Sequence, residues 1–151
     1  MQSIDPNKAA RVWDRVKGES PPPETGLAEL IAGEWADAAI YLQLSRRFQG
    51  KHSALLRKMY EEEQAHTACL KGIYTLLTGR RPEVKAVMPA QGDAEQLLRR
   101  CYGREMQCLA RYEARASDPE YGQVFARMAQ QEKEHCRWIL ELLGSVNKRN
   151  G

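Results

Sequence analysis

The chain has 151 residues, 42% of them hydrophobic and 28% charged, with a formal net charge of +3. That length suits one domain with a real core, and so small a charge, with Lys and Arg interleaved with Glu, makes nucleic acid an unexpected partner. Residues 1–18 carry Asp5, Lys8, Arg11, Asp14, Arg15 and Lys17 without an apolar run, and the weakly apolar stretch 38–44 falls far short of the about 18 residues a membrane span needs, so no signal peptide, no membrane and a cytoplasmic location are the expectations.

In chain order, residues 7–16 predict a short helix with Val12, Trp13 and Val16 on one side, ended by Pro21, Pro22 and Pro23. Thr25 is the expected N-cap of the first long helix. Its inward stripe reads Leu27, Ile31, Glu34, Ala38, Tyr41, Ser45 and Phe48, with Gly50 as its stop. Ser53 is expected to cap the second long helix, whose stripe is Leu56, Met59, Glu63, His66, Leu70, Ile73 and Leu77 before Gly79. Of the run Glu61, Glu62 and Glu63, this register puts only Glu63 inward. The short link between the two helices predicts antiparallel neighbours.

Residues 80–92 contain Pro82, Pro89 and Gly92 and have no helical period. Thirteen extended residues span about 43 Å, enough to return along the whole bundle as a crossover, though a short-way connection also fits the lengths. Asp93 with Gln96 forms an expected capping box, opening a third helix with Leu97, Cys101, Glu105, Cys108 and Tyr112 inward. Asp118 as cap and Pro119 at the first helical position open the fourth, with Phe125, Met128, Glu132, His135, Ile139 and Leu142 inward and Gly144 as its stop. The expectation is therefore one domain over 1–151: a short N-terminal helix and Pro linker (1–24), an all-α four-helix bundle (25–144) and a tail (145–151). Cys69, Cys101, Cys108 and Cys136 contain no Cys-x-x-Cys pair, so they build neither a zinc ribbon nor a rubredoxin-type iron site. They are expected as reduced, mostly buried thiols.

The pattern that organises the chain is a repeat. Glu63-Gln64-Ala65-His66 recurs 69 residues later as Glu132-Lys133-Glu134-His135. Residues three apart share a helix face, so each copy aims a carboxylate and an imidazole at one point. Each copy also follows a helix carrying Glu-x6-Tyr, namely Glu34 with Tyr41 and Glu105 with Tyr112. One Glu from each of two helices and a Glu-x-x-His from each of two others is the ligand set of a dinuclear carboxylate site in a helical bundle. Closing the bundle would bury Glu34, Glu63, Glu105, Glu132, His66 and His135 in one layer, where carboxylates must be paired, protonated or metal-bound. Two divalent ions would supply the missing charge, and carboxylate-rich ligation suits iron or manganese better than zinc. Tyr41 and Tyr112 are either core residues or hydrogen-bonding supports of a ligating Glu. His52, without a Glu at that spacing and in a predicted turn, is expected at the surface. Trp13, Trp35 and Trp138 are expected to pack.

These motifs, Glu34 with Tyr41, Glu63-x-x-His66, Glu105 with Tyr112 and Glu132-x-x-His135, resemble the rubrerythrin-like branch of the ferritin-like superfamily over residues 27–142. The resemblance implies two antiparallel helical hairpins joined by a crossover and a dinuclear iron centre. It further implies reduction of hydrogen peroxide or dioxygen, often as a homodimer. By resemblance, Glu63 and Glu132 bridge the metals, while Glu34 and Glu105 each bind one. The sequence departs from rubrerythrins at Cys108, where they carry a further Glu, and in lacking a rubredoxin module, so the electron donor would be a separate protein. Cys108 reads as a small buried hydrophobe, with a thiolate ligand as the alternative. Ferritin-like iron oxidation and storage, a demethoxyubiquinone-type hydroxylase and a metal-free helical interaction module are the competing readings.

Overall fold

The computed structural model describes residues 23–149. The expected helix at 7–16 lies outside them. The described residues form four helices and no strand: α1 (Pro23–Ser45), α2 (Gly50–Thr78), α3 (Ala94–Arg115) and α4 (Gly122–Arg149). At about 1.5 Å per residue the longest, α2, extends about 43 Å. α1 packs chiefly on α2 and α3 on α4, with thinner contacts between the two pairs.

Every helix buries the stripe its 3.6-residue period predicts, with one exception: Leu77, in the last two turns of α2, is 46% exposed. The buried residues divide into two apolar clusters. One joins the C-terminal half of α1 (Tyr41, Leu44) and Phe48 of the following link to Leu56 and Met59 of α2, Leu97, Leu98 and Cys101 of α3, and Trp138, Ile139 and Leu142 of α4. The other joins Leu27, Leu30 and Ile31 to Leu70, Ile73, Cys108, Tyr112, Phe125 and Met128. Burying one such Leu or Phe side chain contributes about 1.5–3 kcal/mol, so the clusters clamp whatever lies between them. Segment 79–93 leaves α2 beside the second cluster, where Val84 packs, and enters α3 beside the first, where Ala90 packs. It is fastened there by Gln43, whose amide donates to the Ala90 carbonyl (2.8 Å) and accepts from the Ala90 N–H (2.9 Å).

The helix ends depart from the sequence reading in five places. α1 already includes Pro23, so Thr25 lies inside the helix and does not cap it. Gly50 opens α2 instead of ending α1; its φ of 58° is a left-handed conformation that glycine takes without a Cβ penalty. Ser53 consequently sits within α2, and its hydroxyl donates to the Ser45 carbonyl at 2.7 Å, satisfying one of the open carbonyls at the end of α1. Asp118 caps a turn ahead of α4, accepting from the N–H groups of Glu120 and Tyr121 at 2.9 Å each, and the helix itself begins at Gly122. A side chain at Gly122 would meet the Ala116 carbonyl oxygen at 2.4 Å, so that close approach requires glycine.

Gly144 does not stop α4, which continues to Arg149, so the expected tail is mostly helix. A mid-helix glycine costs about 1 kcal/mol against alanine, and Val146 packing on the first cluster holds the helix beyond it. Gly79, by contrast, ends α2 as expected, at φ 71° with its N–H bonded to the Thr75 carbonyl. The capping box of Asp93 and Gln96 also forms, at 2.8 and 3.0 Å.

Candidate metal centre

Between the two apolar clusters lies a layer of charge. Glu34, Glu63, Glu105, Glu132 and His135 are fully buried and His66 is 3% exposed. Each side chain reaches the layer because it replaces an apolar residue midway along an inward stripe. Their donor atoms fall into two overlapping groups, Glu34, Glu63, His66 and Glu132, and then Glu63, Glu105, Glu132 and His135. Within each group the atoms lie within 4.8 Å of one another, close enough to hold a metal ion. Glu63 and Glu132 belong to both.

Both imidazoles turn Nδ1 toward the carboxylates. His66 Nδ1 lies 3.0 Å from Glu34 Oε2 and 2.9 Å from Glu132 Oε1. His135 Nδ1 lies 2.8 Å from Glu63 Oε1 and 3.5 Å from Glu105 Oε1. The contacts to Glu63 and Glu132 are near enough for ion pairing but lack hydrogen-bond alignment. Both oxygens of each of these two carboxylates, one oxygen each of Glu34 and Glu105, and His135 Nδ1 are buried without a hydrogen-bond partner. Orphaned acceptors in a dry interior are costly. Five of the six side chains, all but His66, point unsatisfied donor atoms into one layer, an arrangement that fits a cation.

The electrostatics agree. Burial, with the charges of Glu34 and Glu105 beside it, pushes the Glu63 carboxyl well above its ordinary range. Burial also opposes ionisation of Glu34, but the facing Glu63 carboxyl and His66 imidazole hold it below the usual value. Burial favours neutral His135, yet Glu105 and Glu62 facing it push its pKa up to about 9. Against the same opposing burial, Glu34 raises His66. Both shifts favour the protonated imidazoles, which would offset part of the carboxylate charge in the metal-free chain.

Three supports of this layer are not on the predicted stripes. His135 Nε2 faces Glu62 Oε2 at 3.4 Å, and His66 Nε2 faces Gln131 Oε1 at 2.6 Å. Glu62 and Gln131 each precede the glutamate of a Glu-x-x-His motif, and each backs the histidine of the other copy. The expectation that only Glu63 of this run turns inward is thus corrected; Glu62 is 18% exposed and reaches across to α4. The recurrence of a long polar residue immediately before both motifs was the available signal. The third support is Asp37, 1% exposed and ion-paired with Arg104.

Tyr41 donates its hydroxyl to Glu105 Oε1 at 2.5 Å, and burial followed by the charge of Glu105 pushes its pKa well up. Tyr112 is equally buried, but its hydroxyl makes no hydrogen bond. Trp138 packs in the first cluster with its ring 5.6 Å from that of His135. Trp35 is 37% exposed, with Lys71 Nζ 5.1 Å from its ring centre. His52 lies within α2, half-buried and edge-on to Phe48, not in a surface turn. All four cysteines are free. Among the described residues no helix is long and apolar enough to cross a membrane.

Comparison with family models, characterised proteins and solved structures finds no match to this chain.

Proposed function

We propose that this chain is a dinuclear iron or manganese protein of the rubrerythrin-like, ferritin-like kind, reducing hydrogen peroxide or dioxygen with electrons from a separate donor protein. The observation that carries the reading is the sharing of Glu63 and Glu132 by two otherwise distinct groups of ligand atoms. One ion would be held by Glu34 and His66, the other by Glu105 and His135, with Glu63 and Glu132 bridging. The passage of segment 79–93 from one core cluster to the other supports reading it as the ferritin-like crossover. A reduced metal pair would supply two electrons and Lewis acidity to an oxidant bound across it.

The chain's own groups have defined tasks in this reading. Glu62 and Gln131 accept from the outer nitrogens of His135 and His66, fixing ring orientation and leaving Nδ1 to face the ions. Tyr41 steadies Glu105 and keeps a proton on its hydroxyl. The cleft between α1 and α3, about 550 Å³, is lined by Glu29, Gly33, Arg104, Gln107, Cys108 and Arg111. Leu30 and Ala32 complete its wall, and a cleft of that size would admit a small oxidant.

The test is anaerobic loading with ferrous ion, followed by peroxide or dioxygen with excess reductant. Sustained turnover of one oxidant is expected. Iron oxidation without turnover would favour ferritin-like iron handling, and failure to bind iron would leave a metal-free helical module.

A further inference from the structure

Beside the charged layer, on its α1–α3 side, a further set of donor atoms converges, sharing Glu34 with the layer. Glu34, Asp37 and Cys108 are all buried, and one ligand atom from each lies within 4.8 Å of the others. Their placement follows from helical spacing. Asp37 stands one turn beyond Glu34 on α1, and Cys108 one turn beyond Glu105 on α3.

Arg104 neutralises only part of this set. Its Nε donates to Asp37 Oδ1 and its Nη2 donates to the Gly33 carbonyl at 3.3 Å. The guanidinium thus spends its second arm on backbone and does not fork onto both carboxylate oxygens, the usual strong geometry. Asp37 Oδ2 is left buried with no hydrogen-bond partner, as is Glu34 Oε1. Asp37 is 1% exposed and Glu34 fully buried, so neither oxygen has solvent to satisfy it. A purely structural ion pair would not require a second orphaned carboxylate and a thiol at the same point.

The set also has a route to solvent. Cys108, 8% exposed, lines the α1–α3 cleft together with Gly33 and Arg104. A side chain at Gly33 would meet Arg104 Nη2 at 3.2 Å, so glycine there leaves room for the arginine arm at the cleft wall.

We propose that Glu34, Asp37 and Cys108 form a third divalent-cation site, filled from the α1–α3 cleft and adjoining the dinuclear layer through Glu34. The inference rests on the dinuclear reading only in placing a neighbour beyond Glu34. Two carboxylates and a thiolate select ions of intermediate softness, such as ferrous, cobaltous or zinc, over magnesium or calcium. Binding forms a metal–sulfur bond as the S–H bond breaks, and the proton leaves to water in the cleft. No electron is transferred. Cys108, a packing residue by its place in the stripe, becomes a ligand by its place at the cleft. Lying between solvent and the layer, the site is a staging position for metal on its way to the centre.

The experiment is titration of the metal-free chain with cobaltous ion alone, followed by metal analysis and near-ultraviolet absorption. The wild type is expected to bind three ions per chain, the last with a thiolate-to-cobalt charge-transfer band. Cys108→Ser, Cys108→Ala and Asp37→Asn, each checked for unchanged helicity, are expected to bind two and show no band. Wild-type saturation at two ions without the band overturns the third site and leaves the dinuclear reading standing. Persistence of the band in both Cys108 variants overturns it as well, and saturation below two ions overturns both.

Discussion

Glu62 on α2 backs His135 on α4, with 3.4 Å between Glu62 Oε2 and the outer imidazole nitrogen. Its counterpart in the other copy of the motif is an amide, Gln131, behind His66. The two histidines of an otherwise matched pair thus have unlike partners. A carboxylate raises the basicity of the imidazole it accepts from, whereas an amide does so less.

Glu62→Gln is therefore expected to weaken binding of one ion about 10–100-fold while leaving the ion at His66 nearly unaffected. Gln131→Glu should strengthen the His66 position and make the two affinities more alike. Competition against a chelator of known affinity measures both. Unchanged binding in Glu62→Gln would mean that the contact across the bundle does not act on the metal.

The metal-free protein should be most stable in mild acid. His135 is raised from 6.5 to about 9, so its contribution is full below pH 6.5 and lost as pH rises through 9. Asp37, raised from 3.8 to about 7 by burial, loses its contribution over that lower window as pH rises. Glu34 and Glu62 are lowered from 4.5, so their contributions are present above pH 4.5 and disappear in stronger acid. Melting temperature should peak near pH 5 and decline toward pH 9. His135 alone represents roughly 3 kcal/mol over its window. A melting temperature that rises from pH 6 to pH 9 without metal would contradict the assigned charge pattern.

Replacing Glu63 by Gln should have effects of opposite sign with and without metal. Burial and neighbouring carboxylates disfavour its ionised form, so the neutral amide relieves repulsion and the metal-free variant should melt higher than wild type at pH 8. With ferrous ion present, the variant should lose most of the stabilisation that binding provides. Equal metal-dependent gains in variant and wild type would rule out Glu63 as a shared ligand.

Tyr41→Phe removes the hydroxyl that donates to Glu105 and leaves the ring in the core. A loss of about 1–3 kcal/mol is expected in the metal-free form, because Glu105 then has a buried oxygen without its donor. Tyr112→Phe should cost less, since that hydroxyl has no hydrogen bond to lose. Denaturant melts of the two variants give the comparison, and equal losses would contradict it.

Much of the bundle could be read from periodicity because a buried stripe constrains every third or fourth residue. Glu34, Glu63, His66, Glu105, Glu132 and His135 meet because each interrupts such a stripe. Glu62 and Gln131 sit one residue off theirs, and what they touch depends on how α2 and α4 rotate against each other. That relation is tertiary, and its one local mark is the long polar residue that precedes both motifs. Asp37 also lies off the predicted stripe, and its partner Arg104 is 67 residues away in the chain. Gly50, Gly79 and Gly144 are chemically identical punctuation, yet they respectively open a helix, end one and continue one. Backbone dihedrals and neighbouring contacts distinguish these uses, and the letter does not.

The most direct test of the dinuclear account is anaerobic ferrous titration in a Cys108→Ser background, which isolates the layer from the neighbouring thiol. Saturation at two ions per chain is predicted, together with loss of both when Glu132→Ala is added, because a bridging carboxylate serves both ions. Saturation at a single ion, or retention of two after Glu132→Ala, would contradict the account.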